Sequence, residues 1–174
     1  MKYFLLIIIL FTLVMFGCDS KIEENDSSKI DWSTSKSTEF NRLQSKEEEI
    51  DIKIYLKRRP NWIMTETGSG LQYWIYEDKE GPTAEIGKVV DVAFEVSLLD
   101  DSICYATKEN ELASFMVDKS DIETGVQEGI KYLSVGDKAK FIIPSHLGHG
   151  LVGDLKKIPP LQVLIVDIEV VEIK

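Results

Sequence analysis

The chain has two cysteines and two histidines in 174 residues, and their spacing limits the chemistry open to it. Cys18 stands directly after an apolar run, where a thiol is placed for acylation at a membrane. Cys104 is then a lone thiol, read as a small buried hydrophobe rather than a reactive group. With no second free thiol, no intramolecular disulfide is expected. His146 and His149 sit three apart, yet no cluster of Cys, Asp or Glu completes a metal set around them. Neither a metal nor another cofactor is expected. Glu123 opens a helical stretch, where the helix dipole favours a carboxylate.

The start of the chain determines how Cys18 is read. Lys2 supplies a positive charge, and the run from Tyr3 to Gly17 is 15 residues long. That is short of the ~20 apolar residues a spanning helix needs, and it matches the apolar core of a signal peptide. Gly17-Cys18 at its end resembles a bacterial lipobox, in which the thiol is acylated and becomes the new N-terminus. Met15 and Phe16 depart from the usual Leu and small residue there, so ordinary cleavage and an uncleaved anchor stay open. The expected organisation is a signal peptide over 1–17, a lipidated flexible tether over 18–44, a helical extension over 45–63 and a folded domain over 64–174. The tether is expected from its many Ser, Lys, Glu, Asp and Asn residues. More than one acyl chain is needed for stable anchoring, so the expected location is the cell envelope, at a membrane.

A formal charge of −10 argues against nucleic acid as a partner, because that partner requires a basic face. Hydrophobic residues make up 44% of the chain, enough to fill one core.

Ser45 and Glu48 have capping-box spacing, which predicts a short helix from Lys46 to Lys57, ended by Arg59-Pro60. Ile50, Ile52, Ile54 and Leu56 also alternate, so a strand is the other reading. Alternation predicts strands over 71–76 and, most clearly, over 89–98, where Val90, Val92, Phe94, Val96 and Leu98 share a face. Asp100-Asp101 marks a hairpin turn, and short strands follow near 104–107 and 114–117. Ser120 and Glu123 repeat the capping-box spacing. Ile122, Val126, Ile130 and Leu133 then recur at helical steps up to Gly136. Strands over 138–143 and 162–173 flank a loop containing Gly148, Gly150 and Gly153. Trp62 and Trp74 are read as packing residues, and Glu47-Glu48-Glu49 as a solvated helix face. The fold class is α+β, mainly antiparallel sheet with one short helix packed on it.

The segment Gly125-Val-Gln-Glu-Gly-Ile-Lys-Tyr-Leu-Ser-Val-Gly136 resembles the helix of FKBP-type peptidyl-prolyl isomerases. Lys138-Ala-Lys-Phe-Ile-Ile-Pro144, Gly148-His-Gly150, Ile158-Pro-Pro160 and Asp167-Ile-Glu169 follow in the family's order. Gly81-Pro82, Gly87 and Val90-Asp-Val-Ala-Phe94 precede them. With the anchor, the tether and Thr65-Glu-Thr-Gly-Ser-Gly-Leu-Gln-Tyr73, the chain resembles the gliding-motility-associated lipoproteins of this family, the GldI type. The resemblance implies an FKBP-like antiparallel twisted sheet wrapped around the helix. It also implies a folding factor for exported, proline-containing or unfolded proteins, and gliding-machinery components as further partners.

Rotation about an X-Pro bond faces a barrier of ~18–20 kcal/mol. The catalyst needs no nucleophile. It needs an apolar, water-poor pocket that favours the twisted amide, and a few placed hydrogen bonds. The resemblance places that pocket on Phe94, Tyr105, Ile122, Glu123, Val126, His149, Ile158 and Val166. Much of the family's aromatic cup is replaced. Its first-strand Tyr falls on Phe94, and its Phe-Asp pair falls on Cys104-Tyr105. A Phe falls near Ala113, the Trp floor on Val126, the flap Tyr on His149 and a last-strand Phe on Val166. The useful group of Glu123 is its backbone N–H. The expectation is an intact fold with weak or absent isomerase activity, and a non-enzymatic chaperone or assembly subunit is the alternative.

Overall fold

The computed structural model describes residues 34–174. Residues 37–174 cluster as one compact unit; of the remainder, only the first three residues of a helix are described. Cys18 and the proposed signal peptide lie outside the described residues.

The first element is helix α1, Thr34–Lys57. It starts well before Ser45, so residues 34–44 of the expected tether are helical. Glu39, Arg42, Leu43, Gln44 and Lys46 are good helix formers, and Glu39 pairs with Arg42 one turn on, at 2.7 Å. Few apolar residues therefore did not mean coil. Ser45 does not begin the helix either. Glu48 turns away from it and is 5% exposed, its carboxylate accepting from the Ser145 N–H at 2.9 Å and the Ser145 hydroxyl at 2.5 Å. Glu48, Ile52 and Tyr55, at steps of four and three, form the buried stripe, while Ile50 and Ile54 face solvent.

The sheet contains β1 (Thr65–Glu66), β2 (Gln72–Glu77), β3 (Val89–Leu98), β4 (Ile103–Ala106), β5 (Ala113–Met116), β6 (Lys138–Ile143) and β7 (Leu164–Ile173). Every pairing is antiparallel, in the order β1-β2-β6-β7-β3-β4, with β5 also on β3. The long β3 serves two partners on one edge: its first half pairs with β5 and its second half with β4. The Asp100-Asp101 turn joins β3 to β4, with Asp101 at φ 66.

Each face of the sheet packs a helix. The inner face carries Val90, Val92, Val96, Ala139, Phe141, Ile143, Val166 and Ile168 against Val126, Ile130 and Leu133 of the short helix α2 (Thr124–Gly129) and the 3-10 turn that continues it. The outer face carries Ile142, Val163 and Ile165 against Ile52 and Tyr55 of α1. Trp62 stands edge-on to Tyr55 with centroids 5.8 Å apart and contacts Trp74 at 6.1 Å, so both tryptophans are packing residues of that layer.

Two glycines let α2 lie close to the sheet. A Cβ on Gly125 would fall 2.5 Å from Ile143 Cγ2, and one on Gly129 would fall 2.7 Å from the Phe141 ring. The helix begins at Thr124, and Glu123 is its N-cap without a side-chain capping bond. Ser120 does not cap it. Its hydroxyl instead accepts from the Met116 N–H at 2.9 Å, closing the turn after β5. The buried Gln127 ties down the loop before the helix, accepting from the Asp118 N–H at 2.8 Å and donating to the Ser120 carbonyl at 2.9 Å.

Candidate functional site

The curvature of β3 and its neighbours leaves a cavity of about 330 Å³ between the sheet and the N-terminal end of α2. Val92, Phe94 and Val96 of β3 and Val166 and Ile168 of β7 form its base. Successive inward positions on a strand share one face, which is why this set lies together. Tyr105 and Ala106 of β4 form one wall, and Ala113, Ser114 and Phe115 of β5 another. Ile122, Glu123 and Val126 close the helix side. The lining is almost wholly apolar, and Glu123 is its one charged residue.

Six of the eight expected pocket residues therefore meet here: Phe94, Tyr105, Ile122, Glu123, Val126 and Val166. The other two do not line the cavity. Ile158 is buried in the main core, with its N–H donating to Asp154 at 2.8 Å. His149 stands at the margin, with Nε2 2.9 Å from a Glu123 carboxylate oxygen. This contact joins the Gly-rich loop to the entrance of α2. His146 turns elsewhere, its Nε2 3.1 Å from the Ser69 carbonyl. Among the described residues no group of three or more His, Cys, Asp or Glu side chains is arranged to hold a metal.

The N–H of Glu123 has no protein partner among the described residues. It precedes the first turn of α2 beside the cavity, so it is available to a carbonyl group entering the pocket. Val126 makes the helix side of the cavity aliphatic. The ring expected to be lost at Ala113 is supplied two residues on by Phe115, on the same face of β5. The alternation Ala113-Ser114-Phe115 carried that signal.

Asp154 was not singled out from sequence. Its Oδ2 accepts from the Tyr105 hydroxyl, and its Oδ1 accepts from the N–H groups of Lys156 at 2.8 Å, Lys157 at 2.9 Å and Ile158 at 2.8 Å. Desolvation works against its charge, but the tyrosine and the three N–H groups outweigh it and hold the carboxyl well below the usual range. Tyr105 shifts the other way, raised first by its bond to Asp154 and then by desolvation. Lys157 donates to the Cys104 carbonyl at 2.7 Å, and its Nζ lies 5.0 Å from the centre of the Tyr105 ring. Cys104 is buried and its thiol is pushed up, chiefly by desolvation, consistent with an inert packing role. The available sequence signal for Asp154 was an acidic residue next to Gly153, a pairing typical of a self-bonded turn.

Comparison with known proteins gives the same class. The family model of the FKBP-type peptidyl-prolyl cis-trans isomerases matches residues 81–171. The chain belongs to that family. It is 35% identical over 141 residues to the FKBP-type peptidyl-prolyl cis-trans isomerase FkpA of Buchnera aphidicola subsp. Schizaphis graminum, covering 78% of this chain and 54% of that protein. It is 34% identical over 107 residues to the probable FkpA isomerase of Neisseria meningitidis serogroup B, covering 62% of this chain and 39% of the relative. The chain thus spans about half the length, or less, of these curated relatives. The crystal structure of a peptidyl-prolyl cis-trans isomerase from Pseudomonas syringae pv. tomato superposes with a TM-score of 0.65 at 20% identity, covering 76% of this chain and 95% of that one. The structure of AtFKBP13 gives 0.58 at 23% identity, covering 63% and 97%. Both likenesses are of fold: the seven-stranded antiparallel sheet with its short helix is the FKBP fold.

Proposed function

We propose that this chain is a membrane-tethered folding factor of the FKBP type, acting slowly on X-Pro bonds of exported proteins. The observation that carries the reading is the cavity itself: an apolar space of about 330 Å³, lined by Phe94, Tyr105 and Phe115, with the Glu123 N–H, unpartnered among the described residues, beside it. A proline ring suits such a surface, and the N–H is placed for the carbonyl that precedes or follows it. Desolvation of the amide inside the pocket favours its twisted, less charge-separated form. The low rate follows from the aliphatic Val126 and from the missing hydroxyl at Phe94, which leave the twisted amide with fewer contacts than the family's cup gives.

The tether is part of the same reading. The lipobox-like Gly17-Cys18 supports a lipid anchor, and the combination of anchor, tether and isomerase fold supports membership of the gliding-motility-associated lipoproteins. Gliding-machinery components would then be among its partners. Among the described residues no helix is long and apolar enough to cross a membrane. Mass spectrometry of the mature N-terminus tests the anchor; an unmodified Cys18 removes it.

A second reading, a chaperone or assembly subunit without catalysis, is favoured by one observation. Leu151, Val152 and Leu155, on the loop next to His149 and Asp154, are 62%, 59% and 83% exposed and offer apolar contact independent of proline. Titration with a proline-containing peptide and a proline-free apolar peptide separates the two. Preference for proline with catalysis supports the isomerase, and equal binding without catalysis supports the chaperone.

A further inference from the structure

Tyr105 is held in the pocket wall from three directions. Its hydroxyl donates to Asp154, its ring lies beneath the Lys157 ammonium, and the carbonyl of the preceding Cys104 accepts from that same ammonium at 2.7 Å. The two gripping residues come from one small loop, 153–158, which is closed on itself. The Asp154 N–H donates to the Ile158 carbonyl at 3.1 Å, and the Asp154 carboxylate takes three N–H groups of the same loop. Gly153 has φ +69, and a Cβ there would meet the Ile158 carbonyl at 2.2 Å, so the closure admits no side chain. Leu155 is held at φ 60, a conformation unusual for leucine. The loop therefore forms a rigid frame, and the bond of its carboxylate to Tyr105 reaches from that frame into the cavity wall.

We propose that Asp154 is a positioning residue for the prolyl pocket: it fixes Tyr105 as a rigid aromatic wall on the β4 side of the cavity. The proposal rests on the prolyl-pocket reading above. With Val126 aliphatic on the helix side, the pocket relies on Phe94, Phe115 and Tyr105 for ring contact. Phe94 and Phe115 come from strands packed in the sheet, whereas the side chain of Tyr105 depends on a loop. Freed from Asp154, Tyr105 keeps its ring but samples several rotamers, and a ligand must then order it. Ordering one side chain costs about 3- to 10-fold in affinity. Asp154 touches no reacting atom, so the loss falls on KM and not on kcat.

The full chain is labelled with 3-fluorotyrosine and compared with Asp154→Ala, Asp154→Asn and Tyr105→Phe. The resonance missing from Tyr105→Phe identifies position 105. Asparagine keeps an oxygen for the three N–H groups and turns a donor toward the phenol oxygen, so it serves as the conservative rescue. In Asp154→Ala the position-105 resonance is expected to shift and broaden. KM, or Kd by titration, for a proline tetrapeptide is expected to rise about 3- to 10-fold with kcat unchanged. Asp154→Asn is expected to restore most of both. An unmoved resonance, or a shifted resonance with unchanged affinity, overturns the proposal. If the unmutated chain binds no proline peptide while the resonance shifts as expected, the prolyl-pocket reading has failed and the positioning role fails with it, although the latch is real.

Discussion

Glu48→Ala should be among the most damaging single substitutions outside the pocket. The side chain lies on α1 and is 5% exposed, and its carboxylate accepts from the N–H and hydroxyl of Ser145, itself 4% exposed. A third bond, from Gln44 at 3.0 Å, is more open to solvent. Alanine leaves two donors of Ser145 without a partner and without access to water. Each such group costs ~1–3 kcal/mol. Alanine's better helix propensity returns a few tenths of a kcal/mol, and the carboxylate no longer needs to be desolvated. The net loss is about 2–4 kcal/mol, or roughly 5–12 °C in Tm for a chain of this size. Glu48→Gln keeps one acceptor for the N–H and a donor for the hydroxyl oxygen, so it should lose only about 1 kcal/mol. Urea denaturation of the three proteins, at equal m-values, measures both. A loss below ~0.5 kcal/mol for Glu48→Ala would show that α1 is not clamped to Ser145.

Gly129→Ala should lose about 1–2 kcal/mol, because overpacking against Phe141 (~1–3 kcal/mol) exceeds the helix-propensity gain of up to ~1 kcal/mol; a higher urea midpoint than the parent would contradict the close approach of α2 to the sheet. The depressed Asp154 carboxyl predicts acid sensitivity. Below the unfolded value of ~3.9 the unfolded chain binds a proton that the folded chain refuses, so its contribution is present above that pH and is lost as pH falls through the folded value. Tm followed from pH 5 downward should fall less steeply in Asp154→Asn, and identical slopes would remove Asp154 from the effect. The bond between Tyr105 and Asp154 also predicts that Tyr105→Phe binds proline peptides less tightly while remaining folded, as read by titration beside near-ultraviolet circular dichroism.

Much of this fold was legible because it repeats short-range patterns. The period-two run Val90 to Leu98 identified the central strand, and the steps from Ile122 to Leu133 identified the inner helix. Six of the eight residues expected from the order of family motifs meet in one cavity, because the inward positions of neighbouring strands share a face. What escaped depends on partners far away in sequence. Ser45 and Glu48 have the spacing of a capping box, yet Glu48 bonds a residue 97 positions on. Ser120 and Glu123 share that spacing, but Ser120 bonds Met116 behind it, and Gln127 ties the Asp118 N–H to the Ser120 carbonyl in the loop before the helix. Ile158 belongs to the family motif but is buried in the main core, with its N–H bonded to Asp154 within the loop. The helical state of residues 34–44 was hidden because a charged, solvent-facing helical turn has the composition of a linker.

In the proposed function the cavity beside α2 is a prolyl site slowed by the aliphatic Val126. The most direct test is cis–trans isomerisation of a proline tetrapeptide by the full chain and by Val126→Trp. The predicted result is slow catalysis that rises at least about tenfold when the aromatic ring is restored, a barrier change of ~1.4 kcal/mol. No catalysis or proline-dependent binding in either protein would contradict the claim, as would a fast parent enzyme that tryptophan does not improve.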